Sequence, residues 1–485
     1  MSFSQAAAPL IAQLQKSAGH SGSAFHTPGH KQGRGASSLL RSLMGERALL
    51  ADLPELPELD NLFAPNGVIR EAQALAAELF QAEHTFFLAN GSTCGVMAAI
   101  WATCGEGDKI LLPRNIHQSA IAGCVVTGAQ PVFLTPAYDS AQNLVGGVAA
   151  ETVAEALVAH PDAKAVMILA PTYQGISPDI AEIAKRVHQY NISLLVDEAH
   201  GAHFGFHPRL PPRALDLGAD LSIQSTHKTL SALTQGAMLH VKGDRIALNR
   251  LKTGLQLFQS TSPNYLILAS LDAARQQLAM SRADEMAKAL TLADFAHSQL
   301  AEIKSLAVVS LPSGISGFQS LDRTRLTVRF PGLSLDGFEI DDILHGQLGV
   351  TAELPLLDAL TFILSLGNSE ADIEKLLAAW QYLAQNYPGT RETGAQQPVS
   401  LQSFSLPEVT PRQALQKNTV SVHLLQAQDR ISAELVCPYP PGIPVLLPGE
   451  RITVDAIENL QTLKQQGCVV TGAQDESLKN LQVLA

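Results

Sequence analysis

The stretch AVMILAPTYQGISPDIAEIAKRVHQYNISLLVDEAH, residues 165–200, decides the fold. It opens on an unbroken apolar run, AVMILA at 165–170, and continues from Asp179 to Tyr190 with apolar residues at helical spacing. Ser177-Pro178 supplies cap and first-turn signals for that helix. A second apolar run, SLLVD at 193–197, follows. Strand, helix, strand, with the strands apolar throughout rather than alternating, is the pattern of parallel strands buried on both faces. Working outward, TFFLA at 85–89, KILLP at 109–113, PVFLT at 131–135 and LSIQS at 221–225 are runs of the same kind. A helical pattern from Ile69 to Phe80 precedes the first of them. The central region is therefore expected to be an α/β unit built on a largely parallel sheet.

Beyond it, Leu266 to Leu306 reads as one or more long helices. A smaller α/β pattern comes next: RLTVRF at 325–330, a helix near Ile340–Leu348, FILSL at 362–366 and a helix from Ala371 to Asn386. Residues 387–404, rich in Pro, Gly, Gln and Ser, read as a linker. In CPYPPGIPVLLPGE at 437–450, the prolines 438, 440, 441 and 444 preclude a helix or a central strand, and a terminal helix starts at Val454. The expected division is an N-terminal arm (1–60), a large domain (61–305), a small α/β domain (306–390), and a linker with a C-terminal domain (391–485).

Composition narrows the function classes. The chain has 485 residues, 33 Lys plus Arg against 45 Asp plus Glu, and a net charge of −12. Acidic balance argues against nucleic acid or an anionic membrane as the main partner. Only 16% of residues are charged, against the usual ~25%, so much of the surface is expected to be buried, in one large unit or against another subunit. Five cysteines are too few and too scattered for a disulfide framework, and none forms a C-x-x-C pair. The first twenty residues lack the basic start and long apolar run of a secretory signal, and no run approaches a membrane span. These features read as a cytoplasmic protein.

Residues able to carry chemistry fall at strand ends. Ser225-Thr226-His227-Lys228-Thr229 follows LSIQS, and a lysine there is either a snorkelling surface residue or one used covalently. Asp197 closes the preceding apolar strand. Asp197-Glu198-Ala199-His200 resembles the DEAH box of a nucleic-acid-dependent ATPase, but the sequence contains no Gly-Lys pair, hence no phosphate loop of that kind. A metal site of Asp197, His200 and His203 matches no ligand pattern with known mechanics. Asn90-Gly91-Ser92-Thr93-Cys94-Gly95 lies between TFFLA and a helical stretch, Val96 to Ala102; it is an ordinary cap turn or an anion cup at a helix start. At the next junction, PRNIHQS at 113–119 puts His117 at the same sheet edge, where open α/β sheets bind ligands. Together, a lysine, a carboxylate, an anion cup and a stacking histidine meet the needs of pyridoxal 5′-phosphate.

The sequence resembles the Orn/Lys/Arg decarboxylase family of fold-type-I, aminotransferase-like pyridoxal-phosphate enzymes, in the short form without an N-terminal wing domain. The resemblance runs through FHTPGHKQG (25–33), LPELDNLFAPNGVIREAQ (56–73), NGSTCG (90–95), PRNIHQS (113–119), PTYQGISPDI (171–180), VDEAHGAHFGFHP (196–208), SIQSTHKTLSALTQGA (222–237) and CPYPPGIPVLLPGE (437–450). It implies Lys228 as the Schiff-base lysine and Asp197 as partner of the pyridinium nitrogen. Ser92, Thr93, Ser225 and His227 would hold the phosphate, His117 would stack on the ring and Ala199 would lie on the opposite face. His200 sits where larger relatives carry an aromatic residue. Thr261 would reach the neighbouring subunit's phosphate in a dimer with shared sites. His26 belongs to an arm placed near the active-site entrance, although two histidines by a turn are also what a solvated loop shows. Glu434 precedes the Pro-rich loop and is assigned the substrate's distal positive charge, against the alternative of a solvated glutamate, which would pass the role to Asp60, Glu353 or Asp358. The implied activity is decarboxylation of arginine, lysine or ornithine, ranked in that order, giving a polyamine precursor such as agmatine or cadaverine. An aminotransferase of the same fold and a silent regulatory homologue are the competing readings, and no metal is expected.

Overall fold

The computed structural model describes residues 4–20, 22–390, 406–439, 444–465 and 469–485. The stretch read as a linker lies outside the described residues from 391 on, as do Pro440, Pro441 and Cys468. Helix α1 (Pro9–Ala18), within the segment read as an arm, sends Leu10 and Leu14 into a core shared with α3 (Val68–Phe80) and the long helix Tyr265–Ala301; α2 (Ser38–Ala51) lies between them in sequence. A buried ion pair, Arg275–Asp272, fastens this contact, because Asp272 also accepts the Leu10 N–H at 3.0 Å.

The apolar runs form β1 (His84–Leu88), β2 (Lys109–Pro113), β3 (Gln130–Leu134), β4 (Ala165–Leu169), β5 (Ser193–Asp197) and β6 (Leu221–Gln224). A strand that periodicity did not single out, β7 (Ala237–Val241), completes a seven-stranded sheet in the order β1-β7-β6-β5-β4-β2-β3. The five strands from β6 to β3 are mutually parallel. β7 runs antiparallel to both β1 and β6, so β1 keeps the direction of the parallel set. Six strands therefore end at one edge of the sheet, and α4 (Gly91–Thr103) and α5 (Gln118–Thr127) start there.

Alternation along the strands builds a core on each face. Ile110, Leu112, Met167, Leu195, Ile223 and Leu239 pack with α4 and α5. On the reverse face Leu111, Val166, Ile168, Leu194 and Val196 pack against helices Ala150–Ala159 and Ile180–His188. The latter helix is capped by Asp179, whose side chain accepts the Glu182 N–H, rather than by Ser177. The carboxylate also places a negative charge at the positive end of the helix dipole.

The small domain is an antiparallel sheet of Ala307–Val308, Arg325–Arg329, Ala359–Ile363 and Leu354–Leu356, covered by helices Gly337–Ile343 and Glu370–Asn386. Its third strand begins at Ala359, three residues ahead of the FILSL run, because Ala359 and Leu360 already pair with Arg329 and Val328 after the Leu357-Asp358 turn. In the C-terminal domain Thr419–His423 pairs with Asn480–Leu484, and Cys437–Tyr439 pairs with Val469–Thr471 beside helix Val454–Gln465. Pro438 is thus part of a two-stranded ribbon, where the missing N–H is tolerated. Arg114 joins this domain to the large one, donating to the Val445 carbonyl at 2.9 Å and to Glu450 at 3.1 Å. Among the described residues no helix is long and apolar enough to cross a membrane.

Candidate active site

The strand ends bring Ser92, His117, Asp197, Ala199, His200, Ser225, His227 and Lys228 to one edge of the sheet. Asp197 closes β5 on the face that carries Leu195, so it points toward α4 and α5. His117 is the N-cap of α5, and its Nδ1 accepts the Ser119 N–H at 3.2 Å, which leaves Nε2 to carry the ring proton. Ser225 follows the last residue of β6, and its hydroxyl donates to Ser92 Oγ at 2.8 Å across the gap between β6 and the start of α4. That close approach depends on Gly95, where a Cβ would lie 2.7 Å from Leu88 and 3.0 Å from Ile223. Lys228 follows within the single helical turn Thr226–Thr229, and its Nζ lies 2.9 Å from His200 Nε2. His227 turns its Nδ1 to the Gly236 carbonyl at 3.0 Å.

Burial shapes the charges. Desolvation pushes the Lys228 ammonium below the usual lysine range; Asp197 opposes the shift, while the Arg325 guanidinium reinforces it. Burial also raises the Asp197 carboxyl, against the pull of His117 and Lys228. His200 is driven well below the usual histidine range by burial and then by Arg325, so its ring is neutral. His117 is lowered by burial and by Lys228, and raised by Asp197. Opposite signs are thus held close in a dry setting, where proton affinities respond strongly to what binds.

Two small-domain residues complete the site, and spacing in the sequence gave no sign of either. Arg325 opens its strand fully buried, donates to the His200 carbonyl at 3.2 Å and stands 3.8 Å from Asp322. Gly175 makes room for it, since a Cβ there would come within 2.9 Å of Arg325 Cβ. Glu353 lies near enough to raise the pKa of His227, Lys228 and Arg325 alike. His203, weighed above as a metal ligand, instead bonds Asp322 at 3.0 Å and Thr324 at 3.2 Å. Tyr173 packs its ring 4.8 Å from that of His200.

Four expected residues have other surroundings. Thr93 is exposed at the start of α4. Thr261 is exposed on the loop before helix Tyr265–Ala301, beside Ser260, whose N–H donates to Asn90 Oδ1 at 3.2 Å. His26 makes local contacts, with the Thr27 carbonyl and with Lys31. Glu434 is buried inside the C-terminal domain, where one oxygen accepts the Gln474 N–H at 2.7 Å and the other the Gln482 N–H at 2.9 Å.

The site fits pyridoxal 5′-phosphate. Asp197 is a buried carboxylate that accepts the Ala199 N–H at 3.2 Å and keeps acceptor capacity for a ring N–H. His200 Nδ1, buried, has no hydrogen-bond partner among the described residues, as expected of a side chain kept for a ligand. The Ser92–Ser225 hydroxyl pair at the start of a thirteen-residue helix suits a phosphate.

Comparison with known proteins places this geometry. The model of the Orn/Lys/Arg decarboxylase major domain matches residues 8–366, and that of the Orn/Lys/Arg decarboxylase C-terminal domain matches residues 395–472. An arginine decarboxylase of Bacillus subtilis is 37% identical over 99% of both chains. Another, from Halalkalibacterium halodurans, is 36% identical over 98% of this chain and 97% of its own. The crystal structure of a lysine decarboxylase from Francisella novicida superposes with a TM-score of 0.83 at 23% identity, covering 98% of this chain and 81% of that one.

Proposed function

Since the chain belongs to the Orn/Lys/Arg decarboxylase family, we propose that it removes the α-carboxyl group of arginine, with lysine and ornithine as weaker substrates. The observation that carries the reading is the convergence of Lys228, Asp197, His117 and the Ser92–Ser225 pair at one sheet edge. Lys228 would hold pyridoxal 5′-phosphate covalently, Asp197 would face its ring nitrogen, and His117 and Ala199 would flank the ring. Ser92, Thr93, Ser225 and His227 would take the phosphate, joined across a dimer by Thr261, which is exposed in the single chain. When bound, the cofactor supplies an electron sink for the pair left on Cα as CO2 departs.

The chain's own residues do the rest. Burial keeps a fraction of the Lys228 amine unprotonated and therefore nucleophilic. Asp197, negative and shielded from water, holds a proton on the ring nitrogen. His200, neutral and 2.9 Å from Lys228 Nζ, is placed to take or return a proton at Nε2. Glu353 reads the distal guanidinium of the substrate. Of the acids that could do so, Asp60 caps the 61–70 segment by accepting five backbone N–H groups, and Asp358 is engaged by Arg329 and Asn143. Glu434 has both oxygens occupied by backbone, whereas Glu353, exposed in the single chain, lies near enough to raise the pKa of His227 and Lys228. The reading includes a cytoplasmic homodimer with shared sites, with the His26 arm near the entrance. It is tested by supplying the purified enzyme with arginine, lysine and ornithine separately and measuring CO2 and amine. Agmatine from arginine at the highest kcat/KM is expected; a keto acid in place of CO2 would overturn the reading.

A further inference from the structure

A chain of buried polar side chains crosses the reverse face of the sheet beneath the site. Thr85 on β1 bonds His240 Nδ1 at 2.8 Å, His240 Nε2 on β7 bonds Gln224 Oε1 at 3.1 Å, and Gln224 Nε2 at the end of β6 donates to Glu198 Oε2 at 2.8 Å. Glu198 Oε1 accepts the Ala214 N–H at 2.8 Å. All four side chains are at most 4% exposed. Strand alternation puts them on the face opposite Ile223 and Leu239, so Asp197 and Glu198, though adjacent, serve opposite faces. The strands so joined end in the Ser92 turn, in Ser225 to Lys228, and in Asp197. A buried polar network whose members are paired with one another rigidifies the strands it joins, and nothing in the proposed chemistry uses these four side chains.

As drawn, the chain has a direction. Gln224 donates to Glu198 and accepts from His240 Nε2–H, which leaves His240 Nδ1 to accept from the Thr85 hydroxyl. Every donor points toward Glu198, the arrangement an anionic carboxylate requires. A proton on Glu198 would reverse it: the carboxyl donates to Gln224 Oε1, the turned amide donates to His240 Nε2, and His240 Nδ1–H donates to Thr85. The same three side-chain contacts serve both directions, and the Phe80 ring, stacked 4.5 Å from that of His240, keeps the imidazole in plane. The change of tautomer gives the Nε2 proton up to water and takes one at Nδ1 from water, so the net uptake is the one proton on Glu198.

We propose that Glu198 is a positioning residue of the site, and that its single proton selects between two directions of the chain tying together the strand ends that carry Asp197, Lys228 and Ser92. The groups facing Glu198 are Arg213 beside Ala214 with its partner Asp216, His240 beyond Gln224, and Asp197, His200 and His203 on its own turn. Burial pushes the Glu198 carboxyl up to about 7, with Gln224, the Ala214 N–H, the Ser222 hydroxyl and the Arg213 charge opposing. Burial holds His240 near 3, so its ring stays neutral and only its tautomer changes. Above neutrality the chain points to Glu198 and adds one negative charge behind Asp197, which favours a protonated cofactor ring; below neutrality that charge is lost.

The link to cofactor binding rests on the proposed function, while the tautomer switch does not. The test is 15N NMR of the histidine-labelled, full-length holoenzyme between pH 5.5 and 8.5, with the His240 signal assigned by H240Q. Wild type is expected to pass from Nδ1–H at the acid end to Nε2–H at the basic end. E198Q, whose carboxamide keeps an acceptor oxygen for the Ala214 N–H and turns an NH2 donor toward Gln224 as the protonated carboxyl would, is expected to hold Nδ1–H throughout. Pyridoxal-phosphate affinity should weaken about tenfold in E198A but less than threefold in E198Q, the range of couplings between connected sites. A wild-type His240 that keeps one tautomer across the range overturns the switch. Wild-type cofactor affinity in E198A overturns the positioning role; if E198A does not fold, the tautomers of wild type and E198Q decide. A switching His240 in a chain that releases no CO2 would retain this inference and remove the functional reading instead.

Discussion

Two buried regions handle charge in opposite ways. In the C-terminal domain Glu434 gives each oxygen to a backbone N–H, from Gln474 and Gln482, and so stitches the turn before the last strand to that strand itself. At the edge of the large sheet, Arg325 has Nε and Nη1 buried without a hydrogen bond among the described residues, and His200 Nδ1 is in the same condition. Desolvated polar groups normally find partners, because an unmet one costs about 1–3 kcal/mol. A region that completes its hydrogen bonds internally is serving the fold; a region that withholds them is set up for a ligand. The contrast also sorts the acids: Asp60, Asp358 and Glu434 are taken up within the fold and Asp197 is buried at the sheet edge, while Glu353, exposed in the single chain, is placed with Asp197 by the proposed function alone.

The largest effect expected from this contrast is at Lys228. Lys228→Ala removes the amine needed for covalent attachment and should leave no measurable turnover, while circular dichroism stays that of the wild type. Borohydride reduction of the wild-type holoenzyme followed by peptide mapping checks the assignment, and a label on another lysine would refute it. Next comes Asp197→Asn, which keeps shape but removes the charge behind the ring nitrogen. A fall in kcat of at least about a hundredfold is expected, the scale of losing one preorganised electrostatic partner. Near-normal kcat would move Asp197 to the structural side of the comparison.

Glu353→Gln sharpens the comparison where sequence and structure part. The substrate's guanidinium would lose its charged partner, so KM for arginine should rise about ten- to a hundredfold, as for one charge-assisted pair. Absorbance of the bound cofactor should not change, because Glu353 reads the far end of the substrate. An unchanged KM would leave distal recognition to the partner subunit.

How much of this was legible without coordinates follows from the same physics. Strands β1 to β6 lie within a residue of their apolar runs, because strands buried on both faces read as continuous hydrophobic segments. β7 escaped notice because AMLHV contains His240, a polar ring that only its bonds to Thr85 and Gln224 make tolerable in a core. Lys228, Asp197, His117 and Ser92 could be put forward from the sequence because strand ends mark the ligand edge of an α/β sheet, and the fold brings them to one such edge. Arg325 was not, and Glu353 entered only beside Asp60 and Asp358 as an alternative to Glu434: the two arrive from another domain, 97 and 125 residues after Lys228, and no local spacing encodes which small-domain side chain will reach the large one. Glu434 is the complementary case. Its position before a rigid Pro-rich loop looked like a mount for a recognition group, yet the backbone of Gln474 and Gln482 takes both its oxygens.

The smallest effect on activity, and the sharpest check of the comparison, is therefore Glu434→Gln. An acid that reads substrate would raise KM when neutralised; one that closes a fold would lower stability. The amide keeps one acceptor oxygen, for Gln474 or Gln482, but turns an NH2 group toward the other backbone N–H. Two donors then face each other inside a domain where Glu434 is 7% exposed and water has little access. The loss should be about 1–3 kcal/mol, the range for a buried group left unsatisfied. Since Arg114 ties this domain to the segment carrying His117, the melting temperature of the whole enzyme should drop by a few degrees. KM for arginine should stay within about twofold of wild type, well short of the change expected at a charge-reading position. Calorimetry and steady-state kinetics on the same preparation separate the outcomes: a raised KM with unchanged melting would return Glu434 to the substrate pocket and take Glu353 out of it.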